Sequence, residues 1–290
     1  MKNFELLEPK SVSDACQMLA HWGEEAKALS GGTALVKLMK KRLVHPSYLV
    51  DLKGIQDLRH IRADGEGLSI GALATLREIE TSPVVRGNFA VISEMVRLIG
   101  SVQIRNVGTL AGNLCLADPA SDPAPLLIAL GAHLKVCGPA GERIIPLENF
   151  FTDFYSTALE GSEVVTEIRV PPPPRHWGVS YIKHTLRASF DLGIVGVATV
   201  LALEDGVCRD VRIVLGGVST TPQQAKGPMD LLRGKRIDQA SINRAAQAAY
   251  DEVDPIQDVR ASSGHRREMV KIEVGRGIRR ALEQVQGRKG

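Results

Sequence analysis

The sequence predicts an α+β protein in two parts: a longer N-terminal part that itself divides in two, and a smaller C-terminal part. Three observations carry this. Residues 1–55 alternate strand and helix patterns, as a parallel β-α-β-α-β unit does. Further on, strand patterns come in neighbouring pairs across glycine-bearing turns, the mark of antiparallel pairing. Finally, Pro171 to Pro174 is four prolines in a row, a stiff segment that cannot enter a sheet interior and marks a boundary. The expected organisation is residues 1–174, with subdivisions near 1–55 and 56–174, followed by 175–290.

The elements follow in order. Ser11 to Gly23 reads as a helix, with Ser11 or Ser13 as cap, Ala15, Met18, Leu19 and Trp22 as the apolar stripe and Gly23 as the stop. Lys27 to Ser30 is a strand running into Gly31-Gly32, and Thr33 to Leu43 a helix with Leu35, Leu38, Met39 and Leu43 inward. Pro46 breaks the chain before a strand over Tyr48 to Leu52. Leu58 to Arg62 and Leu68 to Ala72 flank an Asp64-to-Gly67 turn and predict a hairpin. Thr75 caps a short helix that stops by Pro83, and Ala90 to Ile99 forms another, closed by Gly100. Asp122-Pro123 makes a good helix start. His133 to Cys137 and Arg143 to Pro146 bracket a Gly138-to-Gly141 turn, and Glu163 to Val170 is a further strand. Beyond the prolines, Val179 to His184, Leu192 to Leu203 and Val207 to Leu215 predict a three-stranded antiparallel sheet. Helices over Asp238 to Tyr250 and Gly264 to Val285 follow, the last with Met269, Ile272, Ile278, Leu282 and Val285 in helical period.

Composition narrows the function classes. The 290 residues are 44% hydrophobic and 24% charged, with a formal net charge of +3, too small to argue for nucleic acid. No apolar run is long enough to span a bilayer, and the start MKNFELLEPKS has no secretory h-region. Cys16, Cys115, Cys137 and Cys208 lie far apart without a CxxC pair. They read as buried thiols of a cytoplasmic protein, with no iron–sulfur or zinc site on this chain. The seven histidines show no HxH or HExxH spacing, so no metal site is expected. The basic residues of the last helix, Arg266, Arg267, Lys271, Arg276, Arg279 and Arg280, read as a solvated face or as one that docks a partner.

Two runs stand out because they lack bulk. Ala28 to Leu38 reads ALSGGTALVKL and Ile104 to Asp122 reads IRNVGTLAGNLCLADPASD. Such runs bring backbone close to a rigid polar ligand and make a poor core. Ser30-Gly31-Gly32-Thr33 is either a phosphate cradle of backbone N–H groups or an ordinary tight strand-to-helix turn. It is neither a P-loop nor GxGxxG. Asn113 is a donor and acceptor or a turn residue, and Asp122 an acceptor for ribose or base N–H or a helix cap. Two small-residue runs near helix starts suit a two-phosphate ligand better than one phosphate.

These motifs resemble the FAD-binding medium subunit of the molybdenum hydroxylase family, which includes xanthine dehydrogenase and carbon monoxide dehydrogenase. The family's A-G-G-T-D-L stands here as Ser30-Gly31-Gly32-Thr33-Ala34-Leu35. Its T-x-G-G-N and A-x-P-x-x-D stand as Thr109-Leu110-Ala111-Gly112-Asn113 and as Ala117 to Asp122. The Gln103-to-Asn106 lead-in, the Val50-Asp51-Leu52 strand and the Asp258…Arg266-Arg267 tail are similar too, so the resemblance covers almost the whole chain. It implies a two-subdomain FAD domain of the vanillyl-alcohol-oxidase-like (PCMH) type and a CO dehydrogenase flavoprotein-like C-terminal domain.

Carried over by residue, it places Lys27, Ala28, Leu29, Ser30, Gly31, Gly32, Thr33, Ala34 and Leu35 along the ADP half of non-covalent FAD. Thr109, Leu110, Ala111, Gly112 and Asn113 would take the pyrophosphate from the other side, Asp122 the adenosine or ribityl hydroxyls, and Ile99 the adenine. Val165 or Ile168 would offer backbone near the ring system. Lys183 would lie beside the isoalloxazine, where a cation favours the reduced, anionic flavin.

The resemblance further implies an oxidoreductase subunit that takes electrons from a [2Fe-2S] small subunit, itself fed by a molybdopterin large subunit, and passes them to NAD+ or another acceptor. No catalytic acid or base is expected on this chain. Three departures from the family pattern are Ala34, usually acidic, Ala111, usually glycine, and Asp153, often glycine. The rival readings are a self-contained flavin reductase of related fold, as in the enolpyruvyl-glucosamine reductases, and a non-redox nucleotide-binding module.

Overall fold

The computed structural model describes residues 1–174, 176–187 and 191–287. The first lobe is a three-stranded parallel sheet. Its elements are β1 (Glu5–Leu7), α1 (Val12–Trp22), β2 (Ala26–Leu29), α2 (Leu35–Lys40) and β3 (Tyr48–Asp51), with β3 between β1 and β2. Helix α1 begins where the sequence places it: Ser11 accepts from the Asp14 N–H, Asp14 reciprocates, and Gly23 ends the helix at φ 51°. Helix α2 is shorter than expected. It has no side-chain cap, and Arg42 turns left-handed at φ 59°, which throws Leu43 into solvent instead of inward.

The second lobe holds β4 (Ile61–Asp64), β5 (Gly67–Gly71), α3 (Leu76–Thr81), α4 (Pro83–Asn88), α5 (Ala90–Val96), α6 (Val102–Arg105), α7 (Leu110–Leu116), α8 (Pro123–Ala129), β6 (His133–Gly138), β7 (Gly141–Pro146), β8 (Phe151–Asp153), β9 (Ser156–Thr157) and β10 (Val164–Val170). Its main sheet runs β4-β5-β10-β6-β7, antiparallel throughout, with β10 inserted between the two hairpins. Pro83 stops α3 as expected but also opens α4, because proline suits a first turn and Ser82 caps it. Deep in this lobe Arg105 pairs with Glu80 at 2.9 Å and donates to the carbonyls of Ile99 and Gly100. That contact pins the 99–100 turn.

The C-terminal part comprises β11 (Trp177–His184), β12 (Val195–Glu204), β13 (Val207–Gly216), β14 (Gln223–Gln224), α9 (Lys226–Leu232), α10 (Gln239–Glu252) and α11 (Ser263–Gly287). The sheet has four strands rather than three. The short β14 pairs with β13 over Gln223 and Gln224, which carry no apolar alternation. Helix α9 was also not foreseen. Strand β12 is buried on both faces, one against α11 and the other against α8 and the second-lobe core. This explains its unbroken apolar run.

Helix α11 corrects two expectations. Its buried stripe is Val270, Val274, Ile278, Ala281 and Val285, and Ile272 is exposed. Arg266, expected on a solvated or docking face, is wholly buried. It donates to the carbonyls of Ile194 and Gly217 and to the Asp258 carboxylate, at 2.8 Å and 2.6 Å for the last two. Among the described residues no helix is long and apolar enough to cross a membrane.

Candidate functional site

The two small-residue runs meet. Ser30, just past β2, hydrogen-bonds through its Oγ to Thr109 Oγ1 at 3.2 Å. The backbones touch as well: a Cβ on Gly31 would stand 2.8 Å from Gly108 Cα and closer still to the Val107 carbonyl oxygen. A Cβ on Gly112 would be 2.9 Å from Thr109 Oγ1 and 3.0 Å from Ser30 Oγ. The glycines therefore serve first to let two chain segments approach. Gly32 also needs its freedom, at φ 66°.

This meeting leaves donors over. Among the described residues, no acceptor takes the backbone N–H groups of Gly31, Gly32, Thr33 or Ala34. On the facing loop Thr109 Oγ1 caps α7 by accepting from the Gly112 N–H at 3.0 Å. Asn113 Oδ1 accepts from Ser121 Oγ at 2.6 Å, so the amide NH2 is the end that Asn113 offers to a ligand.

A cleft of about 320 Å³ opens along the seam of the two lobes. One wall is Lys27 to Leu35, the other Thr109, Ala111, Gly112 and Asn113. Leu52, Ala72, Leu76, Val164 and Val165 give an apolar floor, and Ile99, Ile104, Leu159 and Glu163 complete it. Unpaired N–H groups, side chains too small to obstruct and an apolar floor fit a dinucleotide that carries a pyrophosphate and flat rings.

Most of the residues singled out in the sequence line this cleft, and four do not. Leu110 and Ile168 are fully buried in the second-lobe core. Asp122 and Lys183 meet each other instead: Lys183 Nζ donates to Asp122 Oδ2 at 2.7 Å and to the Leu98 carbonyl at 2.9 Å, and Tyr181 OH donates to Asp122 Oδ1 at 2.8 Å. Asp122 makes no capping bond to α8, so its helix-cap reading falls. Burial pushes its carboxyl above the ordinary range against the pull of Lys183 and Tyr181. His184 faces the other way, toward Glu273 at 3.4 Å, as strand alternation requires.

Several lining residues went unnoticed in the sequence. Glu163 is the most consequential. Its carboxylate accepts from Arg143 Nε and Nη2 at 2.6 Å and 2.7 Å, and these hydrogen bonds hold it below the usual carboxylate range despite burial. Leu52, Ala72, Leu76, Ile104 and Leu159 carried no local signal, because only the fold brings them to one floor. Cys115 also lines the cleft and is exposed, and Cys137 is half-buried, so only Cys16 and Cys208 match the expectation of buried thiols. Among the described residues no group of three or more His, Cys, Asp and Glu could hold a metal.

Two family models match. The FAD binding domain in molybdopterin dehydrogenase matches residues 2–173, and the CO dehydrogenase flavoprotein C-terminal domain matches residues 180–281. The chain belongs to the FAD-binding medium subunits of the molybdenum hydroxylases.

Members of that family align end to end with it. The carbon monoxide dehydrogenase medium chain of Hydrogenophaga pseudoflava is 34% identical over 279 residues, 96% of each chain. A subunit of the 6-hydroxypseudooxynicotine dehydrogenase complex of Paenarthrobacter nicotinovorans is 31% identical over 99% of this chain and 97% of its own. A solved carbon monoxide dehydrogenase from Hydrogenophaga pseudoflava, which lacks the Mo-pyranopterin moiety of its molybdenum cofactor, superposes with a TM-score of 0.94 at 34% identity. The match covers 97% of this chain and 98% of that one. Quinoline 2-oxidoreductase from Pseudomonas putida 86 gives 0.91 at 32%, over 98% and 99%. The α+β fold with its distinct C-terminal domain is the family's fold.

Proposed function

We propose that this chain is the flavin-carrying electron-transfer subunit of its complex, taking electrons from a [2Fe-2S] partner subunit that a molybdopterin subunit supplies. The contact that carries the reading is Ser30 to Thr109, since it closes two distant loops around the unpaired N–H groups of Gly31 to Ala34. Those N–H groups would hold the pyrophosphate, joined by the Thr33 hydroxyl and the Asn113 amide. Ile99, pinned from behind by Arg105, would cover the adenine, and Val164 and Val165 would floor the cleft.

When bound, FAD takes up electrons singly and releases them singly or as a hydride. The chain's own part is to hold, orient and shield. Lys183, tied to Asp122 and Leu98 at the join with the C-terminal sheet, would set the charge near the ring edge. Asp122 and Ile168 would act from behind the wall. NAD+ or another acceptor would take the electrons on, in a cytoplasmic complex.

Reconstitution of the purified chain with FAD tests this reading. The expected result is a one-to-one yellow complex that binds FAD far more tightly than ADP. Equal affinity for the two would instead make the site a general nucleotide module. Mass analysis of co-purifying chains, with molybdenum and iron content, tests the partners. Bleaching of the flavin by NADH tests the acceptor.

A further inference from the structure

Two cysteines that the function leaves unused lie together across the seam between the lobes. Cys16 is on α1 of the first lobe and Cys137 on β6 of the second. The Cys16 thiol donates to the Cys137 carbonyl at 3.2 Å, and Cys137 packs against the buried cluster that holds Cys16. Cys16 is 1% exposed within the core that the two lobes share, whereas Cys137 is half-buried. Cys137 pairs with Val164 in the sheet, and Val164 and the neighbouring Glu163 line the cleft. The pair thus stands directly behind the cleft wall.

We propose that Cys16 and Cys137 form a peroxide-sensitive dithiol whose disulfide staples the two lobes together behind the flavin cleft. The two thiols have different roles. Burial, together with Cys137 and Glu163, pushes Cys16 up to about 12, so it is a poor first nucleophile. Cys137 is the thiol that hydrogen peroxide reaches. Its thiolate attacks one peroxide oxygen, the O–O bond breaks, hydroxide leaves and a sulfenic acid forms. The Cys16 sulfur then attacks the Cys137 sulfur. An S–S bond forms as the S–O bond breaks, and the leaving hydroxide takes the Cys16 proton as water. Two thiols are oxidised by two electrons and one peroxide is reduced to two waters. The bond ties α1 to β6, so the lobes part less readily and a ligand gripped between them leaves more slowly.

Hydrogen peroxide treatment of the full chain, followed by peptide mass mapping, tests the bond without reference to any cofactor. The expected product is about 2 Da lighter, contains a Cys16–Cys137 linked peptide, and reverts with dithiothreitol. The C137S variant, altered at a half-buried position that a serine fits, should give no linked peptide, while C115S should still give it. Loss of reactivity in C115S alone, or peroxide that carries Cys137 to sulfinic acid with Cys16 left reduced, would overturn the proposal. The consequence for the cleft rests on the flavin reading and has its own readout: FAD release from the oxidised chain should slow by about fivefold relative to the reduced chain. Linked chains that release FAD no more slowly would overturn the staple's role there, and chains that never bound FAD would count against the flavin reading.

Discussion

Gly31 and Gly178 both let backbone meet backbone, with opposite results. At Gly31 the first-lobe loop closes on Val107 and Gly108, and the N–H groups beside the contact face a cleft and have no acceptor among the described residues. At Gly178 strand β11 closes on helix α11. A Cβ there would stand 2.9 Å from the Ala281 carbonyl carbon and closer still to its oxygen, and Val179 N–H beside it is taken by Gln284 at 3.0 Å. One close approach is left polar and open, the other is sealed within a packed sheet and helix. The difference lies in what surrounds the glycine: loops with spare donors in the flavin domain, a buried strand and a long helix in the C-terminal domain. A small residue therefore marks close packing, and only its neighbours show whether a ligand is meant to complete it.

The largest expected effect tests the sealed side. Arg266→Met removes one of the donors to the Asp258 carboxylate, which keeps Arg260, and leaves the carbonyls of Ile194 and Gly217 without their side-chain donor, at about 1–3 kcal/mol for each carbonyl. Denaturant titration followed by tryptophan fluorescence and circular dichroism should show the C-terminal domain melting first, since two domains need not unfold together. A single, unshifted transition would break the contrast between the regions.

Next come the two glycines themselves. Both Gly31→Ala and Gly178→Ala force backbones apart, at about 1–3 kcal/mol each by analogy with overpacking. The expected split is in binding: Gly31→Ala should weaken FAD at least about tenfold, one factor of 1.4 kcal/mol, while folded Gly178→Ala should bind it as the parent does. Equal losses would mean that the cleft does not depend on the loop contact.

A pH experiment separates two carboxylates, the buried Asp122 and the half-buried Asp258. Burial raises Asp258, but hydrogen bonds from Arg260 and Arg266 outweigh it and hold the carboxyl well below its usual range. Its contribution to stability is complete above the unfolded value of about 3.9 and is lost as pH falls through the folded one. Asp122 is shifted upward, so it favours folding when protonated, and that contribution fades as pH rises through its folded value. Asp258→Asn should flatten the acid limb of the stability curve below about pH 4. An unchanged limb would show that other groups set it.

The smallest effect tests the family departure at Ala111. This residue lines the cleft and is 4% exposed. Ala111→Gly should change FAD affinity by less than about 1 kcal/mol, the scale of the glycine entropy term inside a helix. A larger gain would mean that the methyl obstructs the phosphate.

Local chemistry made much of the fold legible. The Ser11 cap, Gly23, the Asp64-to-Gly67 turn and the Thr75 cap act within four residues of themselves, so sequence reading finds them. The cleft was legible as two glycine-bearing runs that match family motifs. Their physical reason was not, because Gly31 answers to Val107, far along the chain. Asp122 and Arg266 were misread for the same cause. Each looked locally like a cap or a solvated charge, and each was claimed by partners from another domain or from distant strands: Tyr181 and Lys183 for one, Ile194, Gly217 and Asp258 for the other. The α11 stripe shifted because β11 and β12 chose which side of the helix to cover.

By itself the sequence determined the longer strands and helices, the turns between the hairpins and the small-residue loops, since propensity, capping and motif spacing are short-range properties. The tertiary structure alone decided that the loops close on each other through Ser30 and Thr109, that the N–H groups of Gly31 to Ala34 find no acceptor among the described residues, and that the Cys16 thiol meets the Cys137 carbonyl across the seam. Those are distances between residues far apart in the chain, and only the packing of lobes and sheets sets them.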